Sequence, residues 1–417
     1  MPENFHIDMP EAVRNIIHTI EEHGFKAYAV GGCIRDSILG RNPDDWDITT
    51  SAVPSQIKTF FKRTVDTGIA HGTVTIMIDK TGYEVTTYRI DGEYEDGRHP
   101  KSVEFSDRLV DDLCRRDFTI NAMAYNDTDG FVDEFKGLDD LDAKIIRCVG
   151  EPELRFTEDA LRMMRAIRFS AQLGFTIDEA TWNAIKKLSP SISKISMERV
   201  HVELGKTLMS AHPDYVAQYS EAGLFAPILP VIDNALKSRY KRKILATLQH
   251  TPDNIYLRYA ALFITSTPDE AAKTLRALKL DNKTVDTVSK LVELSKMDIE
   301  ETEPAVRTAL NKYGRDFLPL WHELMMAVLQ ASEDITGISN PAKVKHLLTL
   351  KRLATDILAR GDCFTIKDLD ISGNDLIEYG LQGHEIGETL KSLLDIVIEN
   401  PKLNDKATLI AMIEHIK

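Results

Sequence analysis

Residues 30–36 read V-G-G-C-I-R-D, and residues 44–48 read D-D-W-D-I. Phe25–Val30 is a short apolar run that predicts a strand, ended by Gly31-Gly32 and followed by a helical stretch over Ile34–Leu39. Trp46–Thr50 predicts a second strand, with Asp45-Trp46-Asp47 where it begins. Residues two apart on a strand point to one face, with Cα atoms roughly 6.5–7 Å apart. Two carboxylates so placed can share hard cations with phosphate oxygens, which suits Mg²⁺. Glycine at 31 and 32 lets a phosphate approach the backbone, and the following helix start offers unpaired N–H groups. Arg35 adds a cation for a triphosphate, or forms a structural pair with Asp36.

Outward from these strings, Ser55–Lys62 predicts a helix, and Thr73–Ile78 and Tyr83–Arg89 predict paired strands around a turn at Lys80-Thr81-Gly82. Glu84 lies on the second of these strands, and a third acid beside Asp45 and Asp47 fits two-metal phosphoryl transfer. The polar, turn-rich segment 91–100 (DGEYEDGRHP) predicts a mobile loop. Helical periodicity returns at Phe118–Ala124, and Ile145–Val149 is expected as a last strand. After about residue 150 apolar residues recur at three- and four-residue spacing through Leu154–Leu173, Glu179–Leu188, Met197–Met209 and most of the C-terminal half. Boundaries are expected near 150, 215 and 335.

The chain has 417 residues, enough for two to four domains and a sizeable core. No apolar run approaches the roughly 18 residues of a membrane span. Acids stand at the N-terminus where a secretory signal would carry basic residues, and the four cysteines form no Cys-x-x-Cys pair. A reducing cytoplasm is the expected compartment. The net charge of −14 is unevenly spread. Residues 1–154 hold 17 basic and 30 acidic side chains, whereas 235–290 hold 11 basic and 5 acidic. The acidity therefore belongs to the first domain, and a basic surface is expected further on.

Residues 158–169 read E-D-A-L-R-M-M-R-A-I-R-F and predict one continuous helix. Residues three apart on a helix lie about 60° from each other, so Asp159, Arg162, Arg165 and Arg168 sweep about half its circumference. Asp159 and Arg162 stand side by side as acceptor and donor. Cytosine and adenine each offer an exocyclic amino donor next to a ring-nitrogen acceptor, the complement of that pair. Uracil and guanine offer the opposite order, and two mismatched charged hydrogen bonds would reject them.

V-G-G-C-I-R-D followed by D-D-W-D-I resembles the first motif of the nucleotidyltransferase superfamily that includes DNA polymerase β. R-R-D-F-T-I-N-A-M-A at 115–124 is similar to a motif of the bacterial and eukaryotic tRNA nucleotidyltransferases and of the related bacterial poly(A) polymerases. The likeness covers about residues 25–205, and I-S-G-N-D-L and G-H-E-I-G at 371–387 also look like that family's tail. The resemblance implies an α+β chain. A polymerase-β-like head of mixed sheet and helices (1–150) would carry the catalysis, and an all-α neck (151–215) would select the nucleotide. A body (216–335) and tail (336–417), both all-α, would bind tRNA.

The same resemblance implies C, C and A addition to tRNA 3′ ends from CTP and ATP. Asp45, Asp47 and Glu84 would be catalytic, with Mg²⁺ on the two aspartates. Gly32, Arg35, Arg116, Asp159, Arg162, Arg165 and Arg168 would bind the nucleotide, with Arg116, Arg165 and Arg168 on ribose and phosphates. Asp117 and Asn121 would support the site. M-E-R-V-H-V-E-L at 197–204 resembles a further helical motif expected to pack the neck, with Glu198 holding an arginine. None of the twelve histidines is followed by Asp and none shows ligand spacing, so no zinc is expected. Poly(A) polymerases usually carry longer basic C-terminal extensions, which argues against that alternative. Retention of the 91–100 segment argues against CC-only addition and leaves A-only addition open.

Overall fold

The computed structural model describes residues 6–92 and 103–416. The segment 91–100, expected as a mobile loop, lies outside the described residues from position 93 onward. The chain divides into two compact units, 1–233 and 234–417.

The first unit begins with helix α1 (Glu11–Glu22), which buries Val13, Ile16, Ile17 and Ile20 along one stripe. Then come β1 (Ala27–Val30), α2 (Gly32–Ile38), β2 (Ile48–Thr50), α3 (Pro54–Phe60), β3 (Thr64–Gly68), β4 (Thr73–Ile78) and β5 (Thr81–Thr87). A small hairpin pairs β6 (Arg89–Asp91) with β7 (Val103–Phe105), and α4 (Leu109–Cys114) leads to β8 (Ala124–Asn126) and β9 (Gly130–Val132). The seven-stranded sheet has the order β3-β4-β5-β2-β1-β8-β9. Strand β2 runs antiparallel to β1 and parallel to β5, so the sheet is mixed, as expected.

Two local expectations are corrected. The β4–β5 turn is Asp79-Lys80, both at positive φ (47° and 73°), with Ile78 paired to Thr81. A two-residue loop with both residues left-handed matches the sheet twist, so Thr81 and Gly82 belong to the strand. Phe118–Ala124 is not a helix: it holds one 3₁₀ turn (Thr119–Asn121) between a bridge from Phe118 to Cys148 and the start of β8. Pairing of Ala124 with Val30 claims that segment for the sheet.

Beyond the sheet come α5 (Gly137–Asp142) and β10 (Ile145–Ile146), which is shorter than expected and pairs in parallel with β11 (Thr176–Ile177). The helices α6 (Pro152–Glu158), α7 (Leu161–Leu173), α8 (Glu179–Leu188) and α9 (Met197–Leu208) follow in the same unit, with α9 packed along α7. Among the described residues of the second unit the regular elements are all helices. In it, helix Lys241–His250 packs on Phe317–Thr336, and a separate core gathers Leu376, Leu393, Val397 and Leu409. No described helix is long and apolar enough to cross a membrane.

Candidate active site

The backbone of Asp47 extends the β1–β2 pairing, since Val30 N–H donates to its carbonyl at 3.0 Å. Trp46 and Ile48 turn inward and are buried, so Asp45 and Asp47 share the outer face. Register places Val85 of β5 opposite Ile48, which brings Glu84 level with Asp47. Asp45, Asp47 and Glu84 line one cleft with Asp44, Tyr83 and Pro10. Desolvation raises the proton affinity of Asp47, and Asp45 adds to the rise while Arg116 opposes it. Glu84 is raised by desolvation and then by the charges of Asp47 and Asp45. Crowded carboxylates of this kind are relieved by a bound cation, and their hard oxygens suit a divalent ion. Among the described residues no group of three His, Cys, Asp or Glu side chains is placed to hold a metal ion by itself.

The glycine turn abuts this cleft. Gly31 stands at φ 87°, ψ −130°, and a Cβ there would lie 2.9 Å from Nη1 of Arg116. Only glycine admits both the backbone and the arginine. Gly32 opens α2. Arg116 donates to Asp112 at 3.2 Å, and the fully buried Asp112 also accepts from Arg115 at 2.6 and 3.0 Å. Arg35 forks onto Asp36 at 3.0 and 2.8 Å, the structural pair that was one of its two readings, and also donates to Asn121 at 2.6 Å. The Asn121 amide donates to Asp117, whose other oxygen takes Arg165. Burial pushes the Asp117 carboxyl up, but Arg165 and Asn121 outweigh it and hold it well below the usual carboxylate range.

The expected continuous helix over 158–169 is broken. Helix α6 ends at Glu158, Asp159 is extended (φ −144°, ψ 105°), and α7 starts at Leu161. The Asp159 carboxylate caps α7 by accepting from Leu161 N–H at 3.0 Å, and Arg199 of α9 forks onto it at 2.6 and 3.3 Å. Arg162, in the first turn of α7, donates to Glu158 at 2.5 Å and to the carbonyls of Arg155 and Arg115 at 3.3 and 3.0 Å. Glu158 also pairs with Arg155 at 2.6 Å. Arg168 is interior, 3.0 Å from Glu203 of α9. Arg35, Arg165 and Arg168 surround the Phe169 ring at 5.0, 5.3 and 4.0 Å.

Arg199 and Glu203 are therefore site neighbours that sequence reasoning missed. Both lie in the 197–204 motif four residues apart, the helical spacing that puts them on one face. Glu198, the residue expected to hold an arginine, is exposed. Consecutive residues act on both groups: the Arg116 charge opposes protonation of Asp47, and the Arg115 carbonyl accepts from Arg162.

Residues 27–147 match the family model of the poly A polymerase head domain. Residues 174–236 match a probable RNA and SrmB-binding site of polymerase A, and 253–413 match a putative tRNA nucleotidyltransferase domain 2. A CCA-adding enzyme of Pediococcus pentosaceus is 34% identical over 98% of both chains. That of Latilactobacillus sakei is 38% identical over 91% of each. The crystal structure of the Bacillus stearothermophilus CCA-adding enzyme in complex with CTP superposes with a TM-score of 0.75 at 32% identity, covering 97% of this chain and 96% of that one. Head and acid cleft together define a nucleotidyltransferase of the poly(A) polymerase type. Within that class the chain belongs to the CCA-adding enzymes, the tRNA nucleotidyltransferases that use divalent metal.

Proposed function

We propose that this chain adds C, C and A in turn to tRNA 3′ ends from CTP and ATP, without a nucleic-acid template, and releases pyrophosphate. The observation that supports this most is that consecutive residues reach both groups: the Arg116 charge acts on Asp47, and the Arg115 carbonyl accepts from Arg162. Asp45 and Asp47 would hold Mg²⁺, with Glu84 as the third acid of the cleft. The bound cation would neutralise triphosphate charge and ease ionisation of the tRNA 3′ hydroxyl. Arg116 and the Gly31-Gly32 backbone receive the triphosphate, and Arg35 keeps that corner positive while fixing Asn121. Arg165, held by Asp117, lies toward the sugar, and Arg168 contributes by bracing α7 against Glu203.

Asp159 accepts from the exocyclic amino group of C or A, and Arg162 donates to the neighbouring ring nitrogen. The head (1–150) carries the chemistry, the neck (151–215) selects the base, and the body (216–335) and tail (336–417) bind tRNA. The match of 253–413 to a tRNA nucleotidyltransferase domain favours tRNA addition over a poly(A) polymerase. Four free cysteines and the absence of a membrane-crossing helix among the described residues fit a cytoplasmic setting. The test is incubation of tRNA lacking its 3′ end with CTP, ATP or both, followed by product sequencing. Two C residues with CTP alone and C-C-A with both are expected. Long A tracts, or addition of A only to tRNA already ending in C-C, would overturn the reading.

A further inference from the structure

An aspartate that chooses between bases must present its oxygens in one orientation, and the structure shows what holds them. An ionised carboxylate offers about four lone-pair sites. Among the described residues, Asp159 has three engaged: Oδ1 takes Leu161 N–H and Arg199 Nη1, and Oδ2 takes Arg199 Nη2. One acceptor site remains, on Oδ2. Arg162 is reduced in the same way. Of its five N–H groups, three go to Glu158, the Arg155 carbonyl and the Arg115 carbonyl. The residual capacity is one acceptor and two donors, which matches an amino group beside a ring nitrogen.

The anchoring is not local to the helix start. Arg199 lies forty residues beyond Asp159 on α9, and four residues further along α9 Glu203 pairs with the interior Arg168 of α7. Two opposite-charge pairs thus fix α9 against α7, and the first ends on the carboxylate itself. Both oxygens are held by one planar guanidinium, so the carboxylate cannot turn about its Cβ–Cγ bond without losing the fork.

We propose that Arg199 is a specificity-determining positioning residue: its fork locks the Asp159 carboxylate so that a single acceptor faces the base. This rests on the reading of Asp159 and Arg162 as the base-selecting pair. Rejection of uracil and guanine requires a carboxylate oxygen to be forced against their carbonyls. A carboxylate free to rotate would turn aside and leave that carbonyl to Arg162, so the wrong bases would gain most from losing the lock.

The test is kcat/KM for CTP against UTP, and for ATP against GTP, on tRNA ending at the matching position. The parent, Arg199→Ala, Arg199→Lys and Arg162→Ala are compared, with thermal unfolding recorded for each. Arg199→Ala is expected to lower both selectivity ratios at least about tenfold. Arg199→Lys should restore them only in part, because an ammonium supplies charge without the fork. A common loss for all four nucleotides with ratios unchanged would overturn the proposal and leave α9 as a brace. Should Arg199→Ala fail to fold, the lysine variant decides: parental ratios overturn the proposal, and reduced ratios support it. Unchanged ratios in Arg162→Ala would instead sink the base-selecting reading itself, and this inference with it.

Discussion

Arg165 donates to one oxygen of Asp117 from Nε at 2.7 Å and holds Nη2 2.6 Å from the same oxygen as an ion pair, and so ties helix α7 to the 115–124 segment. The depressed carboxyl of Asp117 makes this tie pH-dependent. Its stabilisation is complete above the ordinary carboxylate range and is lost as pH falls through the folded-state value. Asp117→Asn should lower unfolding free energy by about 3 kcal/mol at neutral pH, the low end for a broken interior pair because Arg165 keeps some solvent access. Urea titrations at several pH values check this, and the difference between parent and variant should shrink in acid.

The acids of the cleft are expected to behave in the opposite sense. Asp47 and Glu84 bind protons more tightly in the folded chain than in the unfolded one. Their destabilising effect is therefore absent in strong acid, grows as pH rises from the ordinary value through the raised one, and is complete at neutral pH. Asp47→Asn should unfold at a higher temperature than the parent at pH 7 while losing nucleotide addition and keeping tRNA binding. Mg²⁺ should raise the unfolding temperature of the parent but not of this variant. An Asp47→Asn protein with near-parental turnover would remove Asp47 from the metal site.

Replacing Asp159 by Asn offers a direct probe of base choice. With Arg199 holding the amide oxygen, the NH₂ group would stand where the acceptor stood, facing the amino group of C or A with another donor. Use of CTP and ATP should fall by about two orders of magnitude, and UTP should gain relative to CTP. Single-nucleotide extension with each of the four triphosphates measures this.

Arg239, Arg242 and Lys243 are exposed around the start of helix Lys241–His250, beside the exposed Tyr240. If they meet tRNA phosphates, replacing all three with Ala should weaken binding to every tRNA alike. The slope of log affinity against log salt should flatten by roughly 0.7–0.9 for each phosphate no longer neutralised. Unchanged affinity would make this face a solvated one.

In the second unit, Arg307 is almost fully buried and donates to the Ile398 carbonyl at 2.6 Å, to Asp362 at 2.9 Å and to Glu303 at 3.1 Å. It satisfies a carbonyl at the end of helix His384–Glu399 that has no partner within the helix. Arg307→Met should destabilise this unit by about 3–5 kcal/mol. The expected readout is faster limited proteolysis within 234–417, with the first unit still resistant.

How far this molecule can be read from its residues depends on where the determinants lie. The alternation Asp45-Trp46-Asp47-Ile48 and the apolar runs of β1, β4 and β5 are local, and strands and acid face arise from them. The strands β3, β8 and β9 are three to five residues long, too short for a periodic signal. The break at Asp159 is hard to see because residues 158–169 contain no glycine or proline; the one local signal is Asp159 itself, a poor helix-interior residue and a good cap. What interrupts them is distant in sequence: the Asp159 carboxylate answers to Arg199 and caps α7. Arg199 and Glu203 escaped notice for the same reason. Four-residue spacing marks a face of a helix and says nothing of what that face meets.

The adjacency of Arg115 and Arg116 has a practical meaning for anyone who wishes to change what this protein polymerises. Because consecutive residues act on Arg162 and on Asp47, inserting or deleting one residue here would, on the proposed reading, shift both stations of the incoming monomer at once. Evolution and engineering alike should find this stretch intolerant of length change, however freely its exposed neighbours vary. New monomer preferences are better sought on α7 and α9, where one side of the seat can be recut while the anvil stays in place.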